Sequence, residues 1–134
     1  MITGLHHIAI AVPNLQAAIS RFCTDLGCTF KDVEDVISAA TQTAFLPITE
    51  TQIELIHPLN QQGPVQKFLD KKGGGLHHLC FQSDDLLADR DRLIAKGYVF
   101  IQLEPQVGAH NSRVLWIHPK STEGILIELA EYPH

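Results

Sequence analysis

Cysteine is scarce. Cys23, Cys28 and Cys80 are an odd set of three, and the opening MITGLHHIAIAV lacks the basic start of a secretion signal, so no disulfide framework is expected. The thiols read as small apolar fillers. Basic residues are also few. Ten Lys+Arg against 15 Asp+Glu give a formal charge of −5, which argues against a general nucleic-acid or anionic-membrane surface. An anionic ligand would have to be held by a few placed cations. Long apolar runs are missing as well. With no stretch near the ~18 residues that a membrane span needs, the chain is expected to be cytoplasmic and to have no membrane partner.

What is present is a 45% hydrophobic chain of 134 residues, enough for one domain with a sizeable core. It carries eight histidines, four of them as two identical pairs, His6-His7 and His77-His78. Leu5-His6-His7-Ile8 lies over Leu76-His77-His78-Leu79 at a displacement of 71 residues, and Ile53-Glu54-Leu55 over Ile127-Glu128-Leu129 at 74. The chain therefore contains an internal repeat.

Each copy opens with an alternating strand, LHHIAIAV or LHHLCFQ, and passes a helix-capping turn, Pro13-Asn14 or Ser83-Asp84-Asp85. In the first helix Leu15, Ile19, Phe22, Cys23 and Leu26 recur at helical spacing before Gly27; in the second Leu86, Leu93 and Ile94 do so before Gly97. Three strand-like segments follow in each half, near 30–36, 41–46 and 52–56, then near 100–104, 113–118 and 125–130. Between the copies, Pro64–Asp70 has the Pro-first pattern of a short helix, and Gly73-Gly74-Gly75 forms a linker.

The predicted fold class is α+β, with two tandem βαβββ modules closing part of a barrel around a metal cleft. Residues 1–134 form one domain: module one spans about 4–60, the linker helix about 64–75 and module two about 76–131.

Strand alternation predicts where the side chains point. His6, Ile8, Ile10 and Val12 share a bulky face suited to packing on a helix, whereas His7, Ala9 and Ala11 share the other, where small residues leave room for a ligand. His77, Leu79 and Phe81 likewise oppose His78, Cys80 and Gln82. Glu54 and Glu128 leave the apolar faces of their own strands. The expected cleft residues are therefore His7, Glu54, His78 and Glu128, with His6 and His77 in supporting positions.

Two imidazoles and two carboxylates are a ready set of ligands for one divalent ion. The carboxylates balance the +2 charge, and imidazole suits Zn, Ni, Co or Fe. Without an ion, two carboxylates in an apolar barrel would cost several kcal/mol or take up protons.

The stretches LHHIAIAVPNL, TQIELIHPLN, KFLDKKGGGLHHLCF, VGAHN and HPKSTEGILIELAEYP resemble the methylmalonyl-CoA epimerase family of the vicinal oxygen chelate superfamily along almost the whole chain. IELIHPLN, FLDKKGGGLHH and HPKSTEGILIEL are the specific part, because the linker helix and the HPKS turn are not repeat features. The resemblance implies the glyoxalase fold and a metal site at His7, Glu54, His78 and Glu128, with Gln or Glu occurring at the second position. It also implies a homodimer.

The implied ion is one divalent metal per chain, typically cobalt, with zinc, nickel or manganese as alternatives. The implied activity is that of an isomerase, inverting the α-carbon of an acyl-CoA substrate through a metal-stabilised enolate. Inversion needs two acid–base groups, and Glu128 is the catalytic candidate for one. Some family members place a Glu on the second strand of the cleft, where the aligned residue here is Gln42, which is no base. Glu50 and Glu104 are the fallback carboxylates.

Lys71, Lys72, Arg113 and Lys120 are the candidate cations for coenzyme A phosphates, and Gly108–Asn111 reads as a loop over the cleft mouth. His57, His110, His118 and the terminal His134 receive no role. The enzyme alternative is glyoxalase I, acting on a glutathione hemithioacetal. An extradiol dioxygenase would lack the fourth ligand, and a drug-binding resistance protein would lack the ligands altogether.

Overall fold

In a computed structural model, residues 1–133 are described; His134 lies outside them. Two compact units form, one of His7–His77 and one that joins Met1–His6 to the chain from His78 onward.

The first unit takes the second half of strand β1 (Ile2–Ala11), helix α1 (Leu15–Ile19), strands β2 (Asp32–Val36), β3 (Thr41–Ile48) and β4 (Thr51–Pro58), and helix α2 (Gly63–Lys72). Its sheet order is β2-β3-β4-β1, with β1 parallel to β4 and the other pairs antiparallel. Asn14 caps α1 by accepting a hydrogen bond from the Ala17 amide at 2.9 Å. The core under α1 holds Val12, Leu15, Ala18, Ala44, Leu46 and Leu55, packed by Ile10 and Phe22. Burying a Leu such as Leu46 or Leu55 contributes roughly 1.5–3 kcal/mol each.

Ile10 and Val12 of the bulky face do pack on the helix, as alternation predicts. One part of the helix departs from expectation. Ser20–Asp25 continues α1 as a π-helical turn, and the Leu26 amide donates to the Arg21 carbonyl five residues back. The extra residue in the turn rotates the residues after it about the helix axis. Leu26 is therefore 68% exposed, although a regular helix would place it in the core. Gly27 then ends the segment at φ +84°, where a side chain would be strained.

The second unit contains strand β5 (Gly75–Ser83) from His78 on, helix α3 (Leu86–Ala95), and strands β6 (Gln106–Val107), β7 (Arg113–Ile117) and β8 (Ile127–Glu131). β5 is parallel to β8, and β8-β7-β6 are antiparallel neighbours. The start of β1 joins this unit: Thr3 Oγ1 donates to the Gln82 carbonyl, and the Asp84 amide to the Met1 carbonyl. Asp85 caps α3 through the Ala88 amide, and Leu86, Leu115 and Leu129 are wholly buried beneath the helix with Phe81 and Leu93 against them.

The strand expected at 100–104 does not form. Phe100 makes a single bridge to Ile117, and regular pairing resumes only after Pro105, which has no amide to donate. Among the described residues, no helix is long and apolar enough to cross a membrane.

Candidate metal centre

In the first unit, register places Glu54 directly across from Ala9 in the parallel β1–β4 pair. Opposed residues share a face, so Glu54 stands on the side of His7, Ala9 and Ala11. His7 Nδ1 lies 2.9 Å from Glu54 Oε2, both side chains are buried, and Gln52 Nε2 donates to the same oxygen at 2.9 Å. In the second unit Glu128 lies across from Cys80, and His78 Nε2 is 3.2 Å from Glu128 Oε1, again with both groups buried. The repeat thus builds the same His/Glu pair twice.

A buried carboxylate needs a positive partner. Each pair supplies an imidazole nitrogen at a spacing that also suits a shared cation, since two ligand atoms at right angles on an ion with ~2.1 Å bonds lie about 3.0 Å apart. Each pair of one carboxylate and one imidazole therefore suits a divalent ion in ligand type and spacing.

Three sequence expectations change. Gln42 does not share the face of Glu54: it lies opposite His57, whereas Thr43 lies opposite Ile56 and Phe45 opposite Glu54 itself. Alternation therefore gives Thr41, Thr43 and Phe45 the Glu54 face, and sends Gln42 with Ala44 and Leu46 toward α1.

The small residues beside His7 do not leave open space. Ala9, Ala11 and Ile56 are covered by Val65 of α2, with Phe68 and Leu69 against them. The alanines serve the close approach of this linker helix.

His6 does not pack on a helix. Its ring stacks on Tyr132 with centroids 4.3 Å apart, and the Tyr132 hydroxyl lies 3.2 Å from His6 Nδ1. Tyr132 itself packs with Cys80, Val114 and Ala130. His77 meets Phe68 edge-on at 4.9 Å.

Alternation along β7 puts Ser112, Val114 and Trp116 on the Glu128 face, because Trp116 is registered with Glu128 and Val114 with Ala130. Ser112 is buried, and its Oγ has no hydrogen-bond partner among the described residues. Trp116 meets the His78 ring edge-on at 4.7 Å. Neither residue belongs to the repeat motif, and only their place in the β7 register marks them.

Other candidates stay outside this arrangement. Glu50 and Glu104 are exposed. Arg113 is paired with Glu131 at 3.2 Å, and Lys71, Lys72 and Lys120 are exposed. His57 Nδ1 lies 2.9 Å from the Val12 carbonyl, His118 Nδ1 accepts from the Lys120 amide, and His110 is exposed in the 109–111 turn.

Residues 6–116 match the Glyoxalase/Bleomycin resistance protein/Dioxygenase superfamily. The chain is 41% identical over 133 residues to the ethylmalonyl-CoA/methylmalonyl-CoA epimerase of Cereibacter sphaeroides, covering 98% of this chain and 99% of that one. Among solved structures, methylmalonyl-CoA epimerase from Mycobacterium tuberculosis superposes with a TM-score of 0.94 at 36% identity, covering 99% of this chain and 90% of the other. A Streptomyces coelicolor methylmalonyl-CoA epimerase variant in complex with 2-nitronate-propionyl-CoA gives 0.93 at 29% identity, covering 98% and 96%. The chain belongs to the methylmalonyl-CoA epimerase family of the glyoxalase/bleomycin resistance/dioxygenase superfamily.

Proposed function

We infer that this chain is a metal-dependent epimerase that inverts the α-carbon of methylmalonyl-CoA. The observation that carries the site reading is the doubled His/Glu pair, at 2.9 Å in one unit and 3.2 Å in the other. His7, Glu54, His78 and Glu128 are the proposed ligands of one divalent ion per chain, with cobalt first and zinc, nickel or manganese next. When bound, such an ion supplies Lewis-acid stabilisation of negative charge on carbonyl oxygen.

The protein's own share is to hold and move the proton. The α-proton of a malonyl thioester is acidified by the thioester carbonyl, and a positioned carboxylate can remove it when the developing enolate charge is stabilised. Glu128 is the proposed acid–base group on one side. Ser112, with its unpartnered hydroxyl on the Glu128 face, is placed to donate a hydrogen bond to a substrate oxygen.

The net charge of −5 leaves coenzyme A phosphates to local cations, of which Lys71, Lys72 and Lys120 are exposed and Arg113 is engaged by Glu131. A cytoplasmic homodimer completes the proposal. The Cereibacter, Mycobacterium and Streptomyces relatives are all CoA epimerases, so no observation favours a glutathione hemithioacetal as substrate. The direct test starts from one epimer of methylmalonyl-CoA. Metal-loaded protein should bring the two epimers to equal amounts, whereas an unchanged epimer ratio overturns the proposed reaction.

A further inference from the structure

We propose that Trp116 is a positioning residue for the metal-ligating imidazole of His78; the inference rests on the metal reading of the doubled His/Glu pair. Trp116 lies on β7, registered directly opposite Glu128 of β8. Glu128 in turn is registered opposite Cys80, two residues beyond His78 on β5. The three strands thereby bring indole, carboxylate and imidazole to one face. His78 Nε2 meets Glu128 Oε1 at 3.2 Å, and the two rings stand at 86° with centroids 4.7 Å apart.

Rotation about the bond joining an imidazole to its Cβ is soft and roughly twofold, so a His side chain does not by itself hold its nitrogens in a fixed direction. A metal ligand needs that direction set by its surroundings. The edge-to-face contact is a favourable arrangement of the two rings, and an indole with its centroid 4.7 Å away limits the room in which the imidazole can turn. Trp116 is half-buried, stands opposite Glu128 in the β7–β8 pair, and its carbonyl accepts a hydrogen bond from the Ile101 amide at 2.8 Å.

Trp116 is the single tryptophan of the chain, so tryptophan fluorescence reports the surroundings of this side chain. Cobalt is titrated into the metal-free full chain, following tryptophan emission, the visible spectrum of the bound ion and its affinity by chelator competition. Wild-type emission should quench and saturate at one equivalent. Trp116→Phe keeps an aromatic edge and should hold cobalt within ~3-fold of wild type, whereas Trp116→Ala and Trp116→Leu should lose about tenfold in affinity and alter the cobalt spectrum.

The Leu variant keeps apolar bulk, so it separates ring orientation from packing, and it carries the comparison if the Ala variant does not fold. Wild-type affinity and spectrum in Trp116→Leu overturn the role of Trp116 while leaving the metal site intact. Failure of the wild type to bind one cobalt overturns the metal reading and this inference with it.

Discussion

Glu54 faces Ala9 across the parallel β1–β4 pair just as Glu128 faces Cys80 across β5–β8. Ala9 and Cys80 each follow a histidine by two residues, so each strand pair delivers a carboxylate onto a histidine's face. The two glutamates are equivalent by architecture, but the proposed reaction gives them different duties.

That difference gives the first prediction. Glu128→Gln should lower kcat by ~10²–10⁴, the range for losing a positioned acid–base group, and weaken metal binding at least about tenfold. Glu54→Gln should keep turnover within about tenfold, because an amide oxygen still ligates and the resemblance allows Gln there. Kinetics together with metal analysis of both variants check the asymmetry.

Gln42 and Thr43 provide a second contrast. Gln42 turns away from the Glu54 face while Thr43 shares it. Gln42→Glu should therefore leave kcat within about twofold. Thr43→Glu places a further carboxylate on the Glu54 face, diagonal to Glu54, and should change the metal affinity measured by competition. Equal effects from the two would contradict the register.

Asp89 carries a pH prediction for stability. Burial pushes its carboxyl up, but hydrogen bonds from Ser83 at 2.6 Å and Arg92 at 3.1 Å, with the Met1 ammonium at 3.2 Å, outweigh burial and hold it below its ordinary value. A pKa lowered by folding contributes stability that is present above the unfolded value and is lost as pH falls through the folded one. Asp89→Ala removes the acceptor of the buried Ser83 hydroxyl, which keeps only the bond it accepts from the Asp85 amide, and should cost about 1–3 kcal/mol at neutral pH. The gap from wild type should shrink in acid. Denaturant midpoints at pH 7 and pH 3 measure it.

Gly108 tests the place of Ser112. A Cβ there would stand 2.7 Å from Ser112 Oγ and 2.9 Å from Val114 Cγ1. Gly108→Ala should destabilise the protein by ~1–3 kcal/mol through overpacking. If the displaced hydroxyl serves the substrate, KM or kcat should suffer in variant protein that is still fully folded. Unaltered kinetics would remove Ser112 from the site.

The repeat made much of this architecture legible. Doubled His-His and Ile-Glu-Leu motifs announced the strand pairs, and alternation put His7 with Glu54 and His78 with Glu128, because a period of two leaves little choice of face. Gln42 escaped because a sequence without partners does not reveal register, and a one-residue shift exchanges the faces. Leu26 escaped because a π-helical turn leaves no mark on the apolar spacing. The space beside His7 was misjudged because Ala9 and Ala11 signal close approach equally to a ligand or to a helix, and α2 takes it. Trp116 lies on a strand with no motif of its own and Ser112 immediately before it, and only the pairing of that strand with β8 gives them a direction.

The most direct measurement of the central claim is exchange of the α-proton of methylmalonyl-CoA in heavy water, followed by proton NMR with metal-loaded and chelated protein. The account predicts loss of the α-proton signal with one deuterium gained, conversion toward equal epimers, and a halt on chelation that added cobalt reverses. Retention of the α-proton by metal-loaded, folded protein would contradict it.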